Sequence, residues 1–423
     1  MTSGQATSIS RRSIGIAAFS TVVEWYDFTL YLYMASVLSR VFYGGGATSL
    51  TATLAGFAIS YAMRPIGAIV FGHIGDRYGR RRMMLLSMAM MTAAMLAIGL
   101  LPTSAQIGPA AGALILALRC VMAFSVGGEY TGVVAYLLEG APRHRRGLVT
   151  SCASAASEVG GLLAVGISAA TASLMSSAAL DDWGWRIPFL VGAAMAGAIL
   201  LARSAMEESP DFDRQKAEGT VPASPLLHSL THYRRAILRG FSISALGSIT
   251  YYVGIAYVPA FLTSTGAMSE RDSLWLSTLA AVVVIAVTPL VGLLTDRRGR
   301  RPVLVGLAVA GLILPVAMFL MMAGGATMQA LVGAVVMAGI GGAVSAVGAV
   351  ATAEQFPGEA RLSGLAFGAT MATAIFGGVT PWLSQVLIER TGWPLVPGTM
   401  IAAVALCVLP VLIRMPETRP LPE

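Results

Sequence analysis

The chain has 423 residues, of which 56% are hydrophobic and 12% charged, with a formal net charge of +7. Water-facing proteins carry about 25% charged residues, so half that share excludes a cytosolic enzyme, a disordered scaffold and a secreted disulfide framework and leaves the lipid bilayer as solvent. Of the 28 lysines and arginines only Lys216 is a lysine, and it follows Gln215; no phosphate-binding loop of the form GxxxxGK[ST] can be written, and ATP is not expected as a partner.

The first ten residues are polar, Arg11 and Arg12 follow, and the apolar run after them is too long for a signal peptide, so it is expected to stay as a first helix. Crossing the hydrocarbon core takes roughly 20 residues at 1.5 Å per residue. Runs of that length fall near 14–38, 51–74, 83–101, 108–138, 148–178, 185–205, 237–264, 273–294, 302–323, 327–353, 362–388 and 395–414. These predict an all-α integral membrane protein of twelve transmembrane helices. With both termini on one side, 22 cations fall on that side and four (Arg40, Arg186, Arg271 and Arg390) on the other, with Arg64 and Arg119 inside predicted helices. Positive charge marks the cytoplasmic side, so the basic balance sets orientation and no nucleic-acid partner is expected. Cys120, Cys152 and Cys407 lie in apolar runs without metal-ligand spacing and are expected in the core. The four histidines (His73, His144, His228 and His232) fall at loops without such spacing. Neither a metal nor a cofactor is expected.

A polar stretch with Pro210, Pro222 and Pro225 predicts a cytoplasmic linker at 206–235 between an N-terminal six-helix bundle, 1–205, and a C-terminal one, 236–423. The halves repeat. Gly72-x3-Asp76-Arg77-x-Gly79-Arg80-Arg81 returns 220 residues on as Gly292-x3-Asp296-Arg297-x-Gly299-Arg300-Arg301. Glu139-x2-Pro142-x3-Arg146 returns 215 residues on as Glu354-x2-Pro357-x3-Arg361, and Met206-x-Glu208-Ser209 is echoed by Met415-x-Glu417-Thr418. Parallel repeats of this kind place a substrate site at their interface near the bilayer midplane.

The GDRYGRRR and TDRRGRRP loops resemble the signature of the major facilitator superfamily. Glu24-Trp25-Tyr26-Asp27-Phe28, Arg64-Pro65, Phe124-Ser-Val-Gly-Gly-Glu129-Tyr130 and Asp182-Trp183-Gly184-Trp185-Arg186-Ile187-Pro188 are similar to its metabolite:proton symporter family. That resemblance implies the major facilitator fold, two pseudo-symmetric six-helix bundles, and a proline/betaine, 2-oxoglutarate, citrate or shikimate carrier. Tyr251-Tyr252 and Tyr257-x-Pro259 lean toward the proline/betaine branch. One departure is Met122-Ala123-Phe124, where the family pattern usually reads Gln-Gly-Phe after the helix-four arginine.

Ionisable side chains inside membrane helices cost at least ~2.5 kcal/mol each and need a partner, a cavity or a function. Glu24, Arg64, Glu129 and Glu158 each lie ten to twelve residues from a cytoplasmic helix end, or roughly 15 to 18 Å, which is one shared depth near the midplane. Asp27 and Tyr31 continue the face of Glu24 on helix one. Four acids, Glu24, Asp27, Glu129 and Glu158, face two arginines, so at least one acid is expected to bind a proton and serve in proton coupling. Arg64 and Arg119 could hold a substrate carboxylate bidentately or neutralise the acids. Tyr31, Tyr130, Tyr251, Tyr252, Tyr257, Phe376, Trp382 and Gln385 are the further candidates for substrate contact, with core packing as the competing role of each aromatic. Asp76 and Asp296 can cap a helix end and form ion pairs across the bundle junction. With Gly72, Arg77, Gly79, Arg80, Arg81, Glu139, Arg146, Arg297, Gly299, Arg300, Glu354 and Arg361 they form a candidate cytoplasmic gate, the competing role of the arginines being topology alone. The expected function is proton-coupled uptake of a small carboxylate-bearing solute across a bacterial inner membrane, either a zwitterion or an organic acid. The alternatives are a drug or metabolite:proton antiporter, or a transporter-like sensor. Helix five, from Ser154 to Gly166, lacks the Gly-Pro pair that marks the antiporter branch.

Overall fold

The structure, a computed structural model, describes residues 11–46, 48–78, 80–127, 143–204, 232–356 and 361–419, which are helical almost throughout, with no strand among them. Twelve long helical segments follow one another among these residues. In the first half, α1 runs Arg11–Tyr33 and continues as Ala35–Tyr43, α2 joins Ser49–Tyr61 to Met63–Tyr78, and α3 is Arg80–Gly99. Then α4 is Ala110–Ser125, α5 is Arg146–Leu174 and α6 is Arg186–Ser204. In the second half, α7 is Arg234–Tyr251 followed by a π-helical turn, Tyr252–Ala256, and Val258–Ser264. It is followed by α8, Glu270–Arg298, α9, Arg300–Ala323, and α10, Thr327–Ala353. Next comes α11, Arg361–Thr373 with a π-helical turn, Ala374–Val379, and Thr380–Thr391, and last α12, Val396–Arg414.

Nine helices among the described residues are long and apolar enough to cross a membrane, and α7, bent by 46° at its break, makes a tenth. The described part of α4 is apolar but shorter. Glu24 and Asp27 lower the hydropathy of α1 in mid-helix. Large apolar side chains cover the outer surface: Leu174, Leu201, Leu290, Ile313 and Met328 are all well exposed. A surface of this kind is stable only against lipid. It also corrects one expectation, since Cys407 is exposed and Cys120 half-buried rather than in the core; in a membrane helix an apolar position faces lipid as readily as protein. The side chain of Cys152 lies outside the described residues.

Packing repeats between the halves. Within the first six helices α1 packs on α5, α3 on α6 and α4, and α2 on α4. Their counterparts are α7 on α11, α9 on α12 and α10, and α8 on α10. Among the described residues the halves meet mainly through α5 along α8 and α2 along α11, which correspond, with α5 also packed against α10. Small residues allow the approach, as expected where helices are held by close packing. A Cβ on Gly67 would overlap the Phe124 carbonyl, one on Gly160 the Val22 carbonyl and one on Gly292 the Ser151 hydroxyl. The Asp182 to Pro188 stretch closes one end of the first half: Trp185 is fully buried edge-on to Phe42 at 4.9 Å, and Tyr26 donates to the Pro188 carbonyl at 2.6 Å.

Candidate functional site

Between the halves lies a cavity of about 160 Å³, room on the order of ten water molecules and so for one small organic solute. Its lining comes from α1 (Trp25), α2 (Arg64), α7 (Ile243, Ser244, Gly247, Ser248, Tyr251, Tyr252), α10 (Val344 to Thr352) and α11 (Leu365 to Thr373). It extends from the level of Tyr251 and Tyr252 toward Thr352 and Leu365, near the arginine-rich ends of α10 and α11. Ser248 donates to Thr373 at 3.0 Å across it.

Arg64 sits where the backbones of α2 and α4 touch, since a Cβ on Gly127 would overlap the Arg64 carbonyl. Its Nη2 donates to Glu24 at 2.9 Å and its Nη1 to the Tyr61 hydroxyl at 3.0 Å. The guanidinium carbon lies 4.1 Å from the Phe28 ring centre. Its Nε is buried without a hydrogen-bond partner, and the bonds to Glu24 and Tyr61 use two of the five guanidinium N–H groups. The Tyr61 hydroxyl in turn meets that of Tyr252 from the other half, in a short hydrogen bond. Gly377 and Gly378 let α11 close over these two rings, where any side chain would collide with Tyr252 or Tyr61.

Glu158 forms a second cluster. It is buried on α5, with the Tyr251 hydroxyl of α7 and Tyr33 of α1 beside it. No arginine or lysine pairs with it among the described residues. Tyr251 therefore has two faces: its hydroxyl faces Glu158 and its ring lines the cavity, 5.1 Å from Trp25 and 5.3 Å from Tyr252.

Asp27 and Arg119 form a third, sealed unit. Arg119 Nη1 lies 3.2 Å from Asp27, both side chains are essentially without solvent access, and the guanidinium rests 4.8 Å from the Tyr31 ring centre. Glu24 and Asp27 thus take different arginines, and Arg119 does not reach the cavity. Breaking a buried pair by removing one partner costs roughly 3 to 5 kcal/mol, whereas replacing both with apolar groups is often neutral. Arg119→Met is accordingly expected to lower the melting temperature of the detergent-solubilised protein by several degrees, and adding Asp27→Leu to restore most of it. An unchanged melting temperature in the single variant would show that the pair is not what holds this part of the bundle.

Of the other candidates, Tyr31 donates to the Thr53 carbonyl at 3.1 Å, beside Arg119 and away from the cavity. Tyr257 donates to Gln385 at 2.5 Å, Gln385 to Glu389 at 3.0 Å and Thr51 to Glu389 at 2.7 Å, a chain that ties α7 and α11 to α2 at the far end. Arg40 adds bonds to Asp181 at 2.7 Å and Glu270 at 3.0 Å there. Phe376 packs edge-on to Phe241 at 5.9 Å, and Trp382 packs against the core; neither is among the cavity-lining residues, and nor are Tyr31, Tyr257 and Gln385. Glu129 and Tyr130 lie outside the described residues. Reading the sequence missed Trp25 as a lining residue, although it stands between Glu24 and Asp27, and missed the hydroxyls of Ser248, Thr370 and Thr373.

At the arginine-rich end Asp296 accepts the amides of Gly147 and Leu148 at 2.9 Å each, capping α5 from α8. Such a carboxylate also meets the positive end of the helix dipole. Arg300 is fully buried between Asp296, 3.2 Å, and Glu354, 3.1 Å. Glu417 accepts the amides of Arg300 and Arg301 at 2.9 and 3.0 Å. Gly299, at φ +98°, leaves the space that Glu417 fills. Arg297 is exposed, Arg81 donates to the Ser204 carbonyl, and Arg146 is half-buried at the start of α5. Gly79 and Glu139 lie outside the described residues, as do the side chains at Gly72, Asp76, Arg77, Arg80 and Arg361.

Residues 14–219 match the family described as Sugar (and other) transporter, and residues 241–423 match the Major Facilitator Superfamily. The Proline/betaine transporter of Escherichia coli is 31% identical over 97% of this chain and 85% of its own length. The chain belongs to the major facilitator superfamily, among its metabolite:proton symporters. The Citrate-proton symporter of Klebsiella pneumoniae is 31% identical over 91% of this chain and 87% of its own. The partially occluded, inward open structure of the xylose transporter XylE from E. coli superposes with a TM-score of 0.73 at 19% identity, covering 97% of this chain and 99% of that one. It establishes the major facilitator fold of twelve helices in two pseudo-symmetric bundles.

Proposed function

We propose that the chain imports a small carboxylate-bearing organic solute together with protons, by alternating access, in the inner membrane of a bacterium, with both termini and the arginine-rich end in the cytoplasm. What a proline/betaine transporter and a citrate-proton symporter have in common by name is a carboxylate-bearing solute, and Arg64 lines the cavity with guanidinium N–H groups beyond the two held by Glu24 and Tyr61. The observation that carries the reading is the double placement of Tyr251, whose ring lines the cavity while its hydroxyl faces Glu158. Solute in the cavity presses on the same side chain that faces the buried acid, so occupancy and protonation bear on one residue. Glu24 and Asp27 are neutralised by arginines, whereas Glu158 can lose its charge only by binding a proton, and an uncompensated charge at this depth is costly. Glu158 is therefore the proton carrier of this reading.

The far-end contacts, Tyr61 with Tyr252, the Tyr257 to Thr51 chain and Arg40 with Asp181 and Glu270, hold the outer side shut in this conformation. Asp296, Arg300, Glu354 and the cap on α5 are the contacts that rearrange when the halves rock and the arginine-rich side closes or opens. No nucleotide, metal or cofactor enters the cycle. In proteoliposomes, labelled glycine betaine, proline, citrate and 2-oxoglutarate are the solutes to offer under an imposed inward proton gradient. The reading requires that one be concentrated above its outside level and that a protonophore abolish the accumulation. Uptake indifferent to the gradient contradicts it.

A further inference from the structure

The charges around the cavity bear on the kind of carboxylate it takes. Arg64 is the one cation among the described lining residues, and two of its three nitrogens are already held by Glu24 and Tyr61. Arg119 is committed to Asp27 outside the cavity. A di- or tricarboxylate would bring two or three negative charges to a single cation that is already paired with Glu24, with Glu158 behind Tyr251. The electrostatic balance is against it, because like charges in a low-dielectric site repel strongly.

The rest of the upper wall is aromatic. Trp25 stands edge-on to Tyr251 at 83° and Tyr251 to Tyr252 at 75°, so the three rings adjoin one another in the cavity wall. Both tyrosine hydroxyls face elsewhere, toward Glu158 and Tyr61, and what these residues offer the cavity is ring rather than phenol. Ring faces attract a weakly hydrated cation such as a quaternary or secondary ammonium, and the acids behind them reinforce the field. The Ser248 and Thr373 hydroxyl pair supplies polarity without charge.

Resting on the importer reading above, we infer that the site selects a compact zwitterion, its one carboxylate on Arg64 and its fixed ammonium centre against Trp25, Tyr251 and Tyr252, and that Trp25 is a specificity-determining residue. The test is uptake and competition by the reconstituted full chain under an inward proton gradient. Labelled glycine betaine or proline is taken up, and citrate and 2-oxoglutarate neither enter nor compete. Unlabelled glycine betaine competes, whereas 3,3-dimethylbutanoate, of the same shape with carbon in place of the cationic nitrogen, fails to compete even at roughly hundredfold excess. Trp25→Phe keeps KM within about threefold, and Trp25→Leu raises KM about tenfold or more with a smaller change in kcat. Gradient-driven uptake of citrate or 2-oxoglutarate instead of the zwitterions overturns the selectivity and leaves the importer reading standing. Equal competition by 3,3-dimethylbutanoate, or an unchanged KM in Trp25→Leu, overturns the role of the rings. Uptake of none of the four solutes overturns both readings.

Discussion

Arg64→Lys is expected to slow solute uptake by roughly a hundredfold while the protein still inserts and melts within a few degrees of the parent. Lysine keeps a positive charge next to Glu24, so the buried acid is not abandoned and the fold survives. What disappears is the planar fork. The guanidinium holds Glu24 at 2.9 Å and Tyr61 at 3.0 Å, rests on Phe28 and still lines the cavity with further N–H groups. An ammonium is a point charge on a flexible stem and cannot serve the acid, the tyrosine and an incoming carboxylate at once. Each charge-assisted hydrogen bond contributes about 1.5 to 3 kcal/mol, and one decade costs about 1.4 kcal/mol, so loss of one such bond spans roughly ten- to a hundredfold. Initial uptake rates of the labelled solute, normalised to reconstituted protein, decide the matter. Rates within threefold of the parent would mean that Arg64 neutralises Glu24 and does nothing for the solute.

The fold was readable because its signals are long and redundant. Each span repeats an apolar length near the bilayer thickness, the cations divide 22 to four between the two predicted sides, and the Gly-x3-Asp-Arg loops recur at one offset. The correspondence of α2 on α11 with α5 on α8 is the three-dimensional form of that repeat. Counting residues from charged helix ends puts Glu24, Arg64 and Glu158 on one level, and the pairing of Glu24 with Arg64 agrees with that count.

Partners and facing were not. Glu24 and Asp27 are three residues apart, and their spacing says that they share a face without saying that one pairs with Arg64 and the other with Arg119. In a helix surrounded by protein on one side and lipid on the other, apolar periodicity does not tell which face looks inward, and Trp25 was passed over for that reason. The two π-helical turns, Tyr252–Ala256 and Ala374–Val379, add a further obstacle. Each inserts an extra residue in a turn and rotates the downstream residues by about 100° relative to an unbroken helix. Tyr257, Phe376, Trp382 and Gln385 all lie within or beyond such a turn, and none lines the cavity. Tyr251 and Tyr252, placed where α7 gives way to its turn, do. The glycine pair Gly377-Gly378 and the adjacent Thr380-Pro381 are the local marks of the second interruption. Ser248 and Thr373 could not be singled out, since single hydroxyls on membrane helices most often bond their own backbone, as Ser242 and Thr380 do here.

Glu158→Gln isolates the proposed proton carrier from everything else the residue does. Glutamine has the same shape and its carbonyl can still accept from Tyr251, so the contact between α5 and α7 is kept while the titrating group is gone. Alternating access itself needs no proton in this variant, so solute on one side should still exchange with solute on the other. One proton moving down 100 mV is worth ~2.3 kcal/mol, or roughly fifty-fold accumulation at one proton per solute. The direct measurement is to compare, in the same proteoliposomes, exchange of labelled for unlabelled solute with accumulation under an imposed proton-motive force. Exchange near the parental rate with an accumulation ratio close to one is the predicted result. A Glu158→Gln protein that concentrates solute as steeply as its parent would contradict the account.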